Sequence, residues 1–164
     1  MLHGASAGDG LCLGVSLLYR DRNQPPPLFA LVLFAPMVDD VNDSGSAHAF
    51  SGVGVWDRAV NGQGWDALLG SRRGTDDVSI YAAPIRATDF SGLPTMYVDV
   101  GSTETFRDEN VLLVQKVWRD GVQCELHVWP GAYHGFYELW PEAELSRKAT
   151  KTRLGWFRRL IVSQ

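Results

Sequence analysis

Five residues near the start of the chain, Gly4-Ala5-Ser6-Ala7-Gly8, constrain the fold more than any other stretch. They fit Gly-x-Ser-x-Gly, the pattern of a sharp strand-to-helix turn that presents a serine hydroxyl at its apex. The turn is strained, and a side chain at either glycine is expected to collide with the adjoining strand or helix. The next segment has the required character. Ala7 to Tyr19 is small, apolar and helix-like, and Leu11, Leu13, Val15, Leu17 and Leu18 cover most of its circumference, which predicts a helix buried all round. Gly8, Gly10 and Gly14 lower its intrinsic propensity, so close packing against a sheet has to compensate.

The 164 residues suffice for one domain with a core of its own, spanning residues 1–164. Arg20 to Pro27 is a polar, stiff loop. Leu28 to Ala35 is a continuous apolar run with the length of a strand buried on both faces, as in a parallel sheet. Residues 39 to 77 are irregular and rich in Gly, Ser, Asn and Asp, with one short helix expected around Trp65 to Leu69, ended by Gly70. So long an excursion is functional or disordered, and Phe50, Trp56 and Trp65 favour a cap packed over a site.

Thr95 to Val100 reads as the next strand. Asp108 to Asp120 reads as a helix, with a Thr105/Asp108 capping box before it and Gly121 as its stop. Cys124 to Trp129 alternates apolar and polar residues, the mark of a strand near a sheet edge. A last helix, about Glu142 to Ile161, buries Leu145, Ala149, Trp156 and Leu160. Its Arg147, Lys148, Lys151, Arg153, Arg158 and Arg159 read as a solvated outer face.

Composition narrows the partners. A net charge of −4 gives no electrostatic reason to expect a nucleic acid or an anionic membrane. The longest apolar run is too short to span a bilayer, and Met1-Leu2-His3 is too short for a signal peptide. Cys12 and Cys124 make no disulfide framework and lack metal-ligand spacing, which reads as buried free thiols in a reducing compartment, hence a cytoplasmic location. Whether the chain forms a homo-oligomer stays open.

Parallel strands deliver their loops to one rim of a sheet, at the strands' carboxyl ends. Ser6 follows a strand ending at His3, Glu104 lies just beyond Val100, and His134 just beyond Trp129, so nucleophile, acid and base types share that rim in the order Ser, acid, His. Serine is unreactive at its own pKa and needs an imidazole to take its proton; a carboxylate must then fix the imidazole's tautomer. His127 in a strand, His48 in a loop and His3 before the turn are weaker bases. Among the acids, Asp108 and Glu109 sit in a helix's first turn, where the dipole favours negative charge in any case. Asp99 lies within a strand, which leaves Glu104 preferred.

These residues resemble the hormone-sensitive-lipase-like carboxylesterases of the α/β-hydrolase superfamily. Gly4-Ala5-Ser6-Ala7-Gly8 resembles their Gly-Asp-Ser-Ala-Gly motif, Val100 to Glu109 their acid loop, and His127-Val128-Trp129-Pro130-Gly131 with His134-Gly135-Phe136 their histidine loop. Tyr81-Ala82-Ala83-Pro84 and Gly92-Leu93-Pro94 are also similar. The resemblance covers nearly the whole chain. It implies an α/β fold, a partial α/β-hydrolase with a mostly parallel sheet of about three strands and flanking helices.

The chain departs from the pattern in three places. Ala5 stands where the family has Asp. Asp9 stands where a second Gly usually comes after the elbow, and an acid there is expected to perturb Ser6. The His-Gly-Gly-Gly segment that supplies most of the family's oxyanion hole is absent from the sequence, together with the first strands, so the chain reads as the C-terminal half of an esterase. The implied activity is hydrolysis of modest-sized acyl esters, with Ser6 as nucleophile, His134 as general acid and base, Glu104 as orienting acid and the Ala7 N–H as oxyanion donor. The implied partner is a small-molecule ester in an apolar pocket, with no metal or cofactor. A non-catalytic ligand-binding protein or inert remnant on the same scaffold is the alternative, and a peptidase or other acyl transferase differs only in pocket shape.

Overall fold

In a computed structural model, which describes residues 1–162, four parallel strands form one sheet in the order β1-β2-β3-β4. They are β1 (Leu2–His3), β2 (Ala30–Phe34), β3 (Thr95–Gly101) and β4 (Cys124–Trp129). In the register of the sheet His3 lies beside Val32, Phe34 beside Asp99 and Gly101 beside Trp129. All strands therefore end at the same rim, and β4 is an edge.

The continuous apolar run of β2 has helices on both sides. Leu31 and Leu33 point toward α1 (Ala7–Asp21) and α4 (Arg107–Arg119), where Leu13, Leu17, Leu113, Val114 and Val117 are fully buried with Met96 and Val98. Each leucine buried in this way contributes about 2 kcal/mol. Ala30 and Val32 point to the opposite face, where Tyr97 and Trp156 of α6 (Glu144–Val162) cover them.

Helix α1 is one-faced, contrary to its apolar circumference. Gly10, Leu13, Gly14 and Leu17 face inward, while Leu11 and Val15 are exposed. Its glycines are tied to close approach. A Cβ at Gly10 would fall 2.1 Å from the Met37 carbonyl oxygen, and one at Gly14 would fall 2.0 Å from that of Tyr81.

Between β2 and β3 the chain is more regular than its composition indicates. Besides α2 (Gly45–Ala49) it holds α3 (Arg58–Leu69), which begins well before Trp65 because the Asp57 side chain caps the Val60 N–H. The Thr105/Asp108 capping box does not form. Phe106 precedes α4, the Thr105 hydroxyl donates to the Trp56 carbonyl at 3.0 Å, and Asp108 accepts the Ser46 N–H at 2.7 Å. Gly121, at φ 81°, lies just past the end of α4.

Arg153 does not belong to a solvated face. Its guanidinium donates to buried Asp99 at 2.8 Å and lies over the rings of Phe34 and Tyr137, 3.7 and 3.9 Å from their centroids. The two cysteines are free and half-buried. No described helix is long and apolar enough to cross a membrane.

Candidate active site

Ser6 sits at the apex between β1 and α1 with φ 56° and ψ −119°, a conformation that costs a non-glycine residue about 1–3 kcal/mol. Its backbone is held on both sides. The N–H donates to the Phe34 carbonyl at 3.0 Å, and the carbonyl accepts from the N–H groups of Asp9, Gly10 and Met37. Of the two flanking glycines only one is required by contact. A Cβ at Gly4 would fall 2.7 Å from the Gly8 carbonyl carbon, whereas one at Gly8 meets nothing within 4 Å, contrary to the symmetric expectation.

Glu104 lies in a tight loop after β3 and is 2 % exposed. One carboxylate oxygen accepts the Gly101 N–H at 3.1 Å; the other accepts from His134 Nδ1 at 2.8 Å. A proton on Nδ1 leaves Nε2 as an acceptor, and Ser6 Oγ lies 3.0 Å from it. Ser6, His134 and Glu104, spread over 128 positions, thus form one hydrogen-bonded line.

The loops bearing the imidazole and the carboxylate are tied to each other. Ser102 N–H donates to the Trp129 carbonyl at 2.9 Å, and both the N–H and the hydroxyl of Thr103 donate to the Ala132 carbonyl, at 3.0 and 2.8 Å. Gly131 N–H returns a bond to Ser102 Oγ at 2.8 Å. The ring of Phe106 meets the imidazole edge-on at 5.2 Å.

The competing groups are engaged elsewhere. His3 lies 3.3 Å from the Val32 carbonyl, His48 pairs with Asp43, and His127 pairs with Glu125 while stacked on Trp129. Asp99 holds Arg153, and Asp108 holds Ser46 and Arg107. Glu109 is buried and accepts the Val38 and Asp39 N–H groups at 2.9 and 3.3 Å; burial pushes its carboxyl well above the usual range.

Asp9 does not aim at the Ser6 hydroxyl. Its fully buried carboxylate accepts the Gly4 N–H at 2.8 Å and the Phe34 N–H. Burial pushes this carboxyl up to about 8, against the pull of the two N–H groups. The signal for these contacts is its place in the first turn of α1, where an acidic side chain reaches back to free N–H groups.

Ala7, the first residue of α1, is exposed and its N–H has no acceptor within the helix. It opens onto an apolar cavity of about 220 Å³, walled by Gly10, Leu11, Met37, Trp56, Trp65 and Leu68. The Trp56 ring stands 6.3 Å from the imidazole of His134, whereas Phe50 lies outside this wall, against the Arg107 guanidinium. Met37 and Leu11 do not stand out in the sequence, since nothing local marks a methionine or leucine as a cavity wall. The arrangement can deprotonate a hydroxyl, hold one oxyanion and seat an apolar group beside both.

A family model described as the alpha/beta hydrolase fold matches residues 1–138. A bacterial heroin esterase structure superposes with a TM-score of 0.91 at 35 % identity, over 96 % of this chain and 50 % of that one. An esterase from the bacterial hormone-sensitive lipase family superposes at 0.84 with 26 % identity, over 98 % and 52 %. An acetyl-hydrolase of Streptomyces hygroscopicus is 28 % identical over 151 residues, 90 % of this chain and 48 % of the relative. The chain spans about half the length of the relatives it matches.

Proposed function

The chain belongs to the alpha/beta hydrolase fold family, and from that premise we propose that it carries the acyl-transfer site of a serine carboxylesterase. The observation that carries the reading is the line Glu104–His134–Ser6, with bonds of 2.8 and 3.0 Å. In this reading Ser6 Oγ attacks the ester carbonyl carbon while His134 Nε2 takes its proton. The Ala7 N–H donates to the oxyanion as charge gathers there. Collapse breaks the bond to the alkoxy oxygen, and His134 returns the proton to the departing alcohol. Water, deprotonated by the same imidazole, then attacks the acyl carbon; the bond to Ser6 Oγ breaks, Oγ takes the proton back from His134, and a carboxylic acid leaves. Glu104 remains ionised throughout and keeps Nδ1 protonated.

The apolar cavity beside Ala7 fits an uncharged acyl or alcohol group, and the names of the relatives, an acetyl-hydrolase and esterases, support modest-sized acyl esters. The residues from 39 to 77 act here as a cover, giving Trp56, Trp65 and Leu68 to the wall.

The test is covalent labelling of the 164-residue chain with a fluorophosphonate, beside turnover of p-nitrophenyl acetate and butyrate, each against Ser6→Ala. Labelling at Ser6 that the variant abolishes is the expected result; a wild type that is neither labelled at Ser6 nor faster in turnover than the variant removes the reading. The sequence contains no His-Gly-Gly-Gly stretch. Labelling is the more sensitive readout, because it needs one attack by Ser6 and no release of an acyl group. The apolar lining of the cavity also suits a second reading, a scaffold that holds an apolar ligand without chemistry, and that reading predicts binding with no covalent mark on Ser6.

A further inference from the structure

The turn that carries Ser6 is held by a side chain outside the hydrogen-bonded line. Ser6 keeps a left-handed backbone that serine rarely adopts, and such a conformation persists only when its surroundings over-determine it. Besides the three N–H groups that bond the Ser6 carbonyl, two residues on its N–H side belong to those surroundings. Phe34, at the end of β2, accepts the Ser6 N–H, and Gly4 leads from β1 into the turn. The Asp9 carboxylate bridges the N–H groups of these same two residues, one oxygen to each.

Asp9 is the third residue of α1, the position from which an acid usually reaches back to the N–H of the residue that caps the helix. That N–H, on Ser6, is already taken by Phe34. The carboxylate therefore reaches past it to Gly4 and across to the neighbouring strand. We propose that Asp9 is the positioning residue of the nucleophile, its ionised carboxylate fastening β1, the turn and β2 into the one geometry that presents Ser6 Oγ to His134.

The proposal rests on the reading of Ser6 as a nucleophile. It sets the ionisation of Asp9 as a control on Ser6. A carboxylate offers both oxygens as acceptors to the two N–H groups, whereas the protonated acid sets its own O–H against one of them. The charged and titratable groups facing Asp9 are Asp99 of β3, Arg153 of α6, Tyr137 of α5 (Phe136–Leu139) and Cys12 on its own helix. His3 of β1 packs on the Phe34 ring, and His134 completes the surround through Ser6. Burial and Asp99 disfavour the charge, while the two N–H groups, Arg153 and the amino end of α1 favour it, with a balance at about 8. Ser6 should accordingly gain reactivity as pH rises through that value.

The experiment uses the whole chain and Asp9→Asn, which matches aspartate in shape, cannot ionise, and turns an amide N–H₂ toward one of the two donors. Amide proton and nitrogen shifts of Gly4 and Phe34 are followed by NMR across about pH 8, with the rate of fluorophosphonate labelling at Ser6 measured over the same range. In the wild type both amide protons move downfield together through one midpoint, and labelling quickens through the same midpoint. In Asp9→Asn the shared midpoint disappears. Above the wild-type midpoint labelling there is slower by roughly tenfold, the change expected when a charge-assisted hydrogen bond becomes a neutral one.

A folded Asp9→Asn that labels at the wild-type rate with the wild-type pH profile overturns the proposal. So do Gly4 and Phe34 amides that fail to titrate together, a result available from the wild type alone if the variant does not fold. A wild type that is never labelled, with its amides titrating as expected, refutes the nucleophile reading instead, and the control of reactivity falls with it.

Discussion

Gly101→Ala tests whether the contact between the acid and histidine loops sets the position of His134. Gly101 closes β3, and its N–H donates to Glu104. A Cβ there would lie 2.2 Å from the Ala132 carbonyl oxygen and 2.7 Å from its carbon. Both are backbone atoms and cannot rotate away, so the histidine loop must retreat by about 0.8 Å to reach even the 3.0 Å lower limit of Cβ contacts. Ala132 is two residues from His134, and its carbonyl accepts both bonds from Thr103. A displacement of that size carries bonds of 2.8 and 3.0 Å beyond hydrogen-bond range. A misplacement of about 1 Å costs roughly a hundredfold in rate, and the overpacking costs about 1–3 kcal/mol of stability. The assay is the rate of fluorophosphonate labelling at Ser6, with thermal melts to establish that the variant is folded. A folded Gly101→Ala chain that labels at close to the wild-type rate refutes the reasoning, because the loop contact would then have no hold on the imidazole.

Removing Arg153 leaves Asp99 buried with, among the described residues, only the Tyr97 hydroxyl, at 3.2 Å, as side-chain partner. Arg153→Met should therefore lower stability to urea by about 3–5 kcal/mol, and a loss under about 1 kcal/mol would show that the ion pair matters little. Glu109 makes a pH prediction. Burial raises its carboxyl well above the ordinary 4.5, so its favourable contribution is complete below that value and is lost as pH climbs toward the folded-state value. Glu109→Gln keeps an oxygen for the Val38 and Asp39 N–H groups and cannot ionise. The Tm-against-pH curve of the variant should be flatter above about pH 4.5 than that of the wild type, and parallel curves count against a buried neutral Glu109.

The parts of this fold that are legible in the sequence are those encoded by neighbours. Leu28 to Ala35 reads as a strand because an unbroken apolar run has nowhere to go but between two layers. Ser6, Glu104 and His134 read as one group because each comes soon after an expected strand, and parallel strands bring those positions to one rim. The hidden parts depend on partners far along the chain. Arg153 reads as one more solvated cation on a basic helix, and only the structure seats it on Asp99, 54 positions away. Thr105 and Asp108 have the spacing of a local cap, yet Trp56 and Ser46, 49 and 62 positions distant, take their side chains instead. The start of α3 is masked by Asn61, Gly62 and Gly64, poor helix formers that tertiary packing overrides.

Those distant partners join the cavity to the site. The hydroxyl that Thr105 gives to the Trp56 carbonyl belongs to the residue next to Glu104, and Trp56 is the ring between the cavity and His134. Ser46, at the start of α2, clasps the same loop twice more, through its hydroxyl to the Thr105 carbonyl at 2.8 Å and through its N–H to Asp108. Residues 39 to 77 thus grip the loop that carries the carboxylate, while the loop that carries the imidazole is gripped from the other side by Ser102 and Thr103. A loop clamped from both sides keeps Glu104 in place with few soft degrees of freedom. The same clamp fixes the wall of the cavity, so an apolar group seated against Trp56 would bear on the support of Glu104 as well as on the space beside Ser6.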